Sequence, residues 1–315
     1  MELAVPFREF TRFDHPASAT IGSNRAAFSS RPKADKDLEH HHWNARVIGS
    51  GPYLIYSNAL QDLAGMPTEF RAILVMAWDD VVVRYRRTLL GPWWMAISHL
   101  VTMCGIGLLL GNIFHQSPGR YLLYVGLGLT TFSPIISAVA DGPTLFLRYK
   151  SWILGATYPL SSYAVRSLLN TLVVMLHQIP AILIVWVVFR LPVTPVALLA
   201  IVGLIPMCIF AVGILLVLAP LGARFRDLGP AAMAATSVLT IMTPIYWDKS
   251  GVSGTARLVF LFNPAYHMIQ LVRGSLLGEV PSVLNWVVAW SSALVALALG
   301  IFTMWRTYWR ISVSL

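Results

Sequence analysis

Beyond residue 90 the chain falls into apolar runs separated by short charged or turn-forming stretches. The runs cover about 93–114, 121–140, 165–189, 195–218, 231–247 and 284–304. At 1.5 Å rise per residue, roughly 20 apolar residues match the ~30 Å hydrocarbon thickness of a bilayer. The pattern therefore predicts six transmembrane helices. Ahead of them, Phe70, Ile73, Leu74, Ala77, Val81, Tyr85 and Leu89 recur at steps of three and four. That period predicts an amphipathic helix over about 67–90, lying at the membrane surface. Asp80 and Arg84 stand four apart in acid-first order and are expected on its charged side. Pro67 suits a first helical turn, Gly91-Pro92 is a break, and Trp93-Trp94 supplies an interfacial anchor for the first span.

Residues 1–60 read differently. They mix Ser, Pro, Ala and both charges without a helical or strand period, and lack the early apolar core of a signal peptide. They are expected to form a mostly disordered cytoplasmic tail. His40, His41 and His42 are adjacent in it without a metal-ligand spacing. Gly51 to Tyr56 is expected to pack against the membrane or the body of the protein.

Composition fixes the class. The chain is 57% hydrophobic and 12% charged, with mean hydropathy +0.67; a soluble domain carries about 25% charged residues. This is an all-α integral membrane protein. The net charge of +9 does not imply nucleic acid, because the cations gather at the ends of apolar runs. Arg84, Arg86, Arg87, Arg148, Lys150, Arg166, Arg224, Arg226, Arg306 and Arg310 fall on one set of ends. Arg120, Arg190, Lys249, Arg257 and Arg273 fall on the other. The richer side is expected to be cytoplasmic, with both termini there. Cys104 and Cys208 sit inside spans and read as small apolar fillers.

Chemistry-bearing motifs are few. There is no Gly-Lys dipeptide, hence no phosphate-binding P-loop. No catalytic triad, paired-carboxylate site or metal cluster is visible, so the chain reads as a non-enzyme with no cofactor of its own. Asn170, His177 and Gln178 place polar groups in the third span, where they need a bundle or water partner. Thr236, Thr240 and Thr243 share one face of the fifth span, with Tyr246 and Trp247 at its outer end. Such a face is either interhelical glue or a polar channel lining.

Four stretches carry a resemblance. Arg84 to Trp94, RYRRTLLGPWW, resembles the RYRRSxLGPxW signature before the first span of ABC exporter permeases for polysaccharides. Arg148-Tyr149-Lys150 and Tyr158-Pro159-Leu160-Ser161 resemble that family's basic cytoplasmic hairpin, although the charged pair usual after the proline is absent. Ala223 to Pro230 resembles its R(F/Y)RDL turn. Phe262 to His267 with Leu271 to Gly274 resembles its NPxYHxIExxRG external segment. The resemblance runs from about residue 65 to the C-terminus. It implies six spans in the bacterial cytoplasmic membrane and short re-entrant external helices between spans five and six. It also implies a homodimer with two ATP-binding-cassette subunits, which hold the ATP and Mg.

The implied cargo is a lipid-linked glycan of O-antigen, capsular or teichoic acid type. The implied channel lies at the permease dimer interface, with Thr236, Thr240, Thr243, Tyr246, Trp247 and Tyr266 as candidate lining. Arg84, Arg86, Arg87, Arg148, Lys150, Arg224 and Arg226 are candidates for headgroup binding or ATPase coupling. Three alternatives stay open: a permease for a drug or small lipid, a membrane-embedded glycan-processing enzyme, and a non-transporting scaffold. An enzyme would need an acidic partner for His267 or Arg273, and none is evident in the sequence.

Overall fold

The computed structural model describes residues 59–155, 158–247, 254 and 256–314. The expected tail up to residue 58, with His40–His42 and Gly51–Tyr56, lies outside the described residues, as does Lys249. Everything described belongs to one compact unit, Gly51–Leu315.

Among the described residues every regular element is helical. α1 (Ala59–Gly65) and α2 (Phe70–Tyr85) precede α3 (Trp93–Ile113) and α4 (Pro118–Asp141). A 3-10 turn, Gly142–Thr144, leads into α5 (Leu145–Arg148) and α6 (Lys150–Gly155), then α7 (Leu160–Val188). A 3-10 turn, Pro195–Leu198, opens α8 (Leu199–Arg224), followed by α9 (Leu228–Met242). The short helices α10 (Ala256–Leu261) and α11 (Pro264–Ile269) and a π-helical turn, Gln270–Gly274, precede α12 (Val283–Ser314). Helices α4, α7 and α8 run on through Pro134, Pro180, Pro206 and Pro220, which neighbouring helices allow inside a membrane.

Among the described residues five helices are long and apolar enough to cross a bilayer: α3, α4 with its extension to Arg148, α7, α8 with its 3-10 lead, and α12. The fifth expected span, about 231–247, is α9, whose 15 residues cover only about 22 Å. Thr243 ends it, and Pro244 to Trp247 continue as non-helical chain. Its surroundings also set it apart, since Ala232 is its one buried residue. Short helices do lie between α9 and α12, as α10, α11 and the π turn.

Small residues let the long helices touch. A Cβ on Gly213 would stand 2.5 Å from the carbonyl carbon of Ala296 in α12. A Cβ on Gly222 would stand 2.0 Å from the carbonyl oxygen of Pro143. Without a hydrophobic drive between helices in lipid, such close approach is a main source of packing energy. Buried apolar clusters fill both halves of the bundle. One centres on Phe146, Leu215, Leu216 and Met304, another on Met207, Ile245, Met268 and Ile269. His99 of α3 reaches Thr130 of α4 at 3.0 Å. Cys104 and Cys208 are free and pack against apolar clusters, as expected of fillers.

α2 departs from its expected form at both ends and in its faces. It begins at Phe70, after turns at Pro67 and Thr68, and stops at Tyr85, five residues before Gly91-Pro92 is reached. The stop has a local cause. Thr88 donates both its backbone N–H (3.2 Å) and its hydroxyl (2.8 Å) to the Tyr85 carbonyl, which a continuing helix would use. Arg86 is then extended and Arg87 takes φ of +70°. Ile73, Ala77 and Val81 are buried, and α2 packs on α7. Phe70, Leu74, Val75, Trp78 and Val82 are exposed, an apolar surface suited to lipid. Asp80 belongs to the packed side, not to a charged outer face.

α1, which the sequence pattern does not mark, fastens the start of α7. Pro159 stands at the N-cap of α7 and has no side chain to cap it. Asp62 supplies the cap from outside. Its carboxylate accepts from the backbone N–H groups of Leu160 and Ser161, at 2.5 and 2.9 Å, and from the Tyr308 hydroxyl of α12 at 3.4 Å. Burial pushes this carboxyl above its usual range, against the pull of those hydrogen bonds. Asp62→Ala leaves two buried donors unpaired and is expected to cost about 2 kcal/mol, with Asp62→Asn losing roughly half as much. Thermal unfolding in detergent, read by size-exclusion chromatography, checks the order wild type, Asn, Ala.

Candidate functional site

The long helices alternate in direction, so the bundle has two distinct ends. At one end α3 and α7 begin and α4, α8 and α12 finish. This end carries Arg84, Arg86, Arg87, Arg148, Lys150, Arg224 and Arg226. At the other end α4 and α8 begin, and α10, α11 and the π turn pack there.

At the arginine end one buried node joins three elements. Arg166 of α7 donates through Nε and Nη2 to the two carboxylate oxygens of Asp80 in α2, at 2.8 and 2.7 Å. Tyr149, between α5 and α6, donates its hydroxyl to the same carboxylate at 2.8 Å. The guanidinium lies 4.3 Å from the Tyr149 ring centre and 5.8 Å from that of Trp152 in α6, within cation–π range. Burial, then the bond to Asp80, pushes the Tyr149 hydroxyl up to about 12, so it stays a donor across physiological pH. The node thus ties the surface helix to the α5–α6 hairpin and to a spanning helix.

The six expected arginines and Lys150 do not form one cluster. Arg148 pairs with Asp141 at 2.7 Å on the exposed edge. Arg224 lies 5.2 Å from the ring of its neighbour Phe225. Arg84, Arg86 and Arg87 are exposed around the turn after α2, and none is in an ion pair among the described residues. Lys150 and Arg226 are exposed as well. Arg166, assigned only as a flanking charge by sequence, is the arginine held in the interior at this end.

At the opposite end the order comes from tyrosines and a buried arginine. The Tyr121 hydroxyl donates to the Tyr246 carbonyl, and the Tyr124 hydroxyl to the Trp247 carbonyl at 3.0 Å. The two rings lie 6.0 Å apart and 14° from parallel. Arg273, 2% exposed, donates to the Pro244 carbonyl at 2.9 Å and covers the Tyr124 ring at 3.8 Å. Asn263 caps α11 by accepting from the Ala265 N–H and donates to the Thr243 hydroxyl at 2.9 Å. His267 is buried between the Asn285 side chain and the Leu261 carbonyl, both at 2.9 Å. Residues 243–247 are therefore held by α4, α11 and the π turn together.

These contacts redistribute the expected channel residues. Thr243 is fully buried in the junction and faces no channel in this protomer. Thr236 and Thr240 donate to carbonyls of their own helix, Met233 and Thr236, at 2.7 and 2.8 Å. Trp247, Phe260 and Tyr266 form one edge-packed aromatic series, with centroids 6.2 and 5.4 Å apart. Tyr246 is part-buried, its carbonyl taken by Tyr121. His177 donates from Nδ1 to Val173 of its own helix at 2.7 Å, not to a neighbouring helix.

Residues 71–277 match the model of the ABC-2 type transporter membrane family. The chain belongs to the ABC-2 type transporter family. The match spans well over half of the sequence, from α2 through the π turn. No curated protein matches the chain. As an ABC-2 permease it is a multi-pass membrane component that works with an ATP-binding partner. The fold already described fits that role. It has spanning helices, a surface helix locked to a hairpin at one end, and a cluster of short helices at the other.

Proposed function

We propose that this ABC-2 permease exports a lipid-linked polysaccharide across the bacterial cytoplasmic membrane. Two copies act with two separate ATP-binding subunits, where ATP hydrolysis takes place. The arginine end faces the cytoplasm, and both chain termini lie there. The observation that carries the glycan assignment is the run Arg84 to Trp94, RYRRTLLGPWW, which resembles the polysaccharide-exporter signature. It occupies the exposed turn between the surface helix and the first span.

α9 supports a channel completed by a second copy. A helix buried at one residue of 15 packs on α4 along one side and leaves most of its surface for a partner. Apolar Met233, Val238, Ile241 and Met242 are exposed on it. Thr236 and Thr240 would add hydroxyl oxygens to such a wall, and Trp247 and Tyr266 aromatic rings at its end. Sugars match this chemistry, with hydroxyl groups at their edges and C–H faces for rings. At the cytoplasmic end, the ATPase pair would press on the hairpin of α5 and α6 and, through Asp80 and Arg166, on α2.

Co-purification with the ATPase encoded beside it, followed by ATP hydrolysis in lipid with and without lipid-linked glycan, tests the proposal. A stable complex stimulated by the glycan is the expected result. Replacing Arg84, Arg86 and Arg87 together by Ala is expected to lower stimulated hydrolysis at least tenfold while the complex still assembles. Stimulation by amphiphilic drugs or short lipids but not by glycans would transfer the assignment to a drug or lipid permease.

A further inference from the structure

The tyrosine end encloses a cavity of about 480 Å3, bordered by Gln116, Arg120, Tyr124, Tyr266, Gln270 and Glu279. That volume is in the range of small-molecule sites. Its walls are fixed before any ligand arrives. The Tyr121 and Tyr124 hydroxyls are committed to backbone carbonyls, so these side chains offer ring carbon rather than hydroxyl groups. Arg273 is committed to Pro244 and to the Tyr124 ring.

The polar groups at the rim balance one another. Arg120 stands 3.6 Å from Glu279. Gln270 donates its amide to the other carboxylate oxygen of Glu279 at 3.0 Å. Gln116 and Ser117 are exposed in the turn beside them. The site therefore alternates donors and acceptors over an aromatic floor, with Arg120 and Glu279 offsetting each other at the rim.

This chemistry discriminates between ligand classes. An inorganic anion at Arg120 would meet the Glu279 carboxylate 3.6 Å away, and Arg273 is turned to the Pro244 carbonyl and the Tyr124 ring. An apolar drug would cover Gln270 and Glu279 without replacing their water, which costs about 1–3 kcal/mol per stranded group. A neutral sugar ring meets both demands, with a C–H face for tyrosine and hydroxyl groups that donate to Glu279 and accept from Gln270 and Arg120. We infer that this cavity is a binding site for a neutral pyranose unit. Its part in transport rests on the export reading above, where it would hold a sugar of the emerging chain beside the α10–α11 segment.

The test uses the full chain in lipid nanodiscs and methyl glycosides of glucose, mannose and galactose as probes, read by saturation-transfer difference NMR. Saturation of ring C–H protons of at least one glycoside is expected, with a Kd on the order of millimolar. Glu279→Gln and Gln270→Ala are expected to weaken it at least tenfold, and inorganic phosphate is expected not to compete. Glu279 is half exposed, so its variant folds even if one at Gln270 does not. Absence of saturation transfer from all three glycosides overturns the inference, as does unchanged binding in Glu279→Gln. If glycan-stimulated hydrolysis persists without glycoside binding, the cavity assignment falls alone and the export reading stands. Glycoside binding without glycan-stimulated hydrolysis has the reverse meaning.

Discussion

Arg166→Ala is expected to release α2 from the bundle. The substitution leaves the Asp80 carboxylate against α7 with only the Tyr149 hydroxyl to satisfy it. Breaking a buried ion pair from one side costs about 3–5 kcal/mol. The Arg166 side chain is 7% exposed and that of Asp80 23%, so water recovers part of the loss and the lower end, about 3 kcal/mol, is the expected value. That is more than a hundredfold in the local equilibrium of α2 docking.

Graded variants separate charge from geometry. Arg166→Lys keeps the charge but loses the two-pronged bond and the stacking on Tyr149, so it is expected to recover less than half of the loss. Tyr149→Phe removes one hydrogen bond and costs about 1 kcal/mol. The sign of its pH dependence follows from a hydroxyl raised from 10.0 to about 12 in the folded chain. The hydroxyl's contribution is full below pH 10 and is lost as pH rises toward 12. Maleimide labelling of a cysteine placed at Ala77, which is 2% exposed, measures docking directly. Fast labelling is expected in Arg166→Ala and slow labelling in the parent. Equal rates would mean that Ile73 and Val81 hold α2 without the ion pair. Under the proposed export function, the partner ATPase assembled with this variant is expected to hydrolyse ATP without stimulation by glycan.

Five of the six expected spans were legible because length and apolarity alone decide whether a segment can cross lipid. α3 starts at Trp93 as the aromatic pair suggests, and ends at Ile113, one residue from the expected limit. What escaped the pattern depends on which group a polar side chain chooses. Heptad-like spacing groups Ile73, Ala77 and Val81 correctly, yet it assigns Asp80 to solvent because Arg84 offers a local partner. The partner it takes is Arg166, 86 residues away. A carboxylate in register with buried Ala77 and Val81 was the available signal. The threonine face of α9 was legible as a face, but Thr236 and Thr240 satisfy themselves on their own helix, which periodicity does not reveal. Arg273 was counted among loop charges. Only the fold shows it buried over Tyr124, and the i,i+3 tyrosine pair of α4 was the one hint. Asp62 was illegible for a related reason, since capping from outside a helix leaves no mark next to that helix in sequence.

Gly213→Leu is expected to abolish the fold, and Gly213→Ala to lower stability by about 2 kcal/mol or more, in the range seen for overpacked interiors. The atoms that an added Cβ would meet are Ala296 C at 2.5 Å, Leu297 N at 2.6 Å and Ala296 O at 2.7 Å. All are backbone, so no rotamer change relieves the contact and α8 must move away from α12. The same crossing is closed from the other side by Gly300, whose Cβ would stand 2.8 Å from the Gly213 carbonyl oxygen. A shift that relieves one position therefore unpacks the other. Trimming Ala296 to Gly is expected not to rescue Gly213→Ala, since the clash is not with its side chain. Gly126 gives the contrast. Its Cβ would meet the Met103 sulfur at 2.1 Å, the flexible part of a side chain. Gly126→Ala is expected to cost less and to be rescued by Met103→Ala. Gly105 has nothing within 4 Å, and Gly105→Ala is expected to be neutral or slightly stabilising. Thermal unfolding in one detergent ranks the variants that fold. If Gly213→Ala matches Gly105→Ala, the close crossing of α8 and α12 does not set stability. The packing energy would then have to come from the larger apolar clusters around Phe146 and Met268.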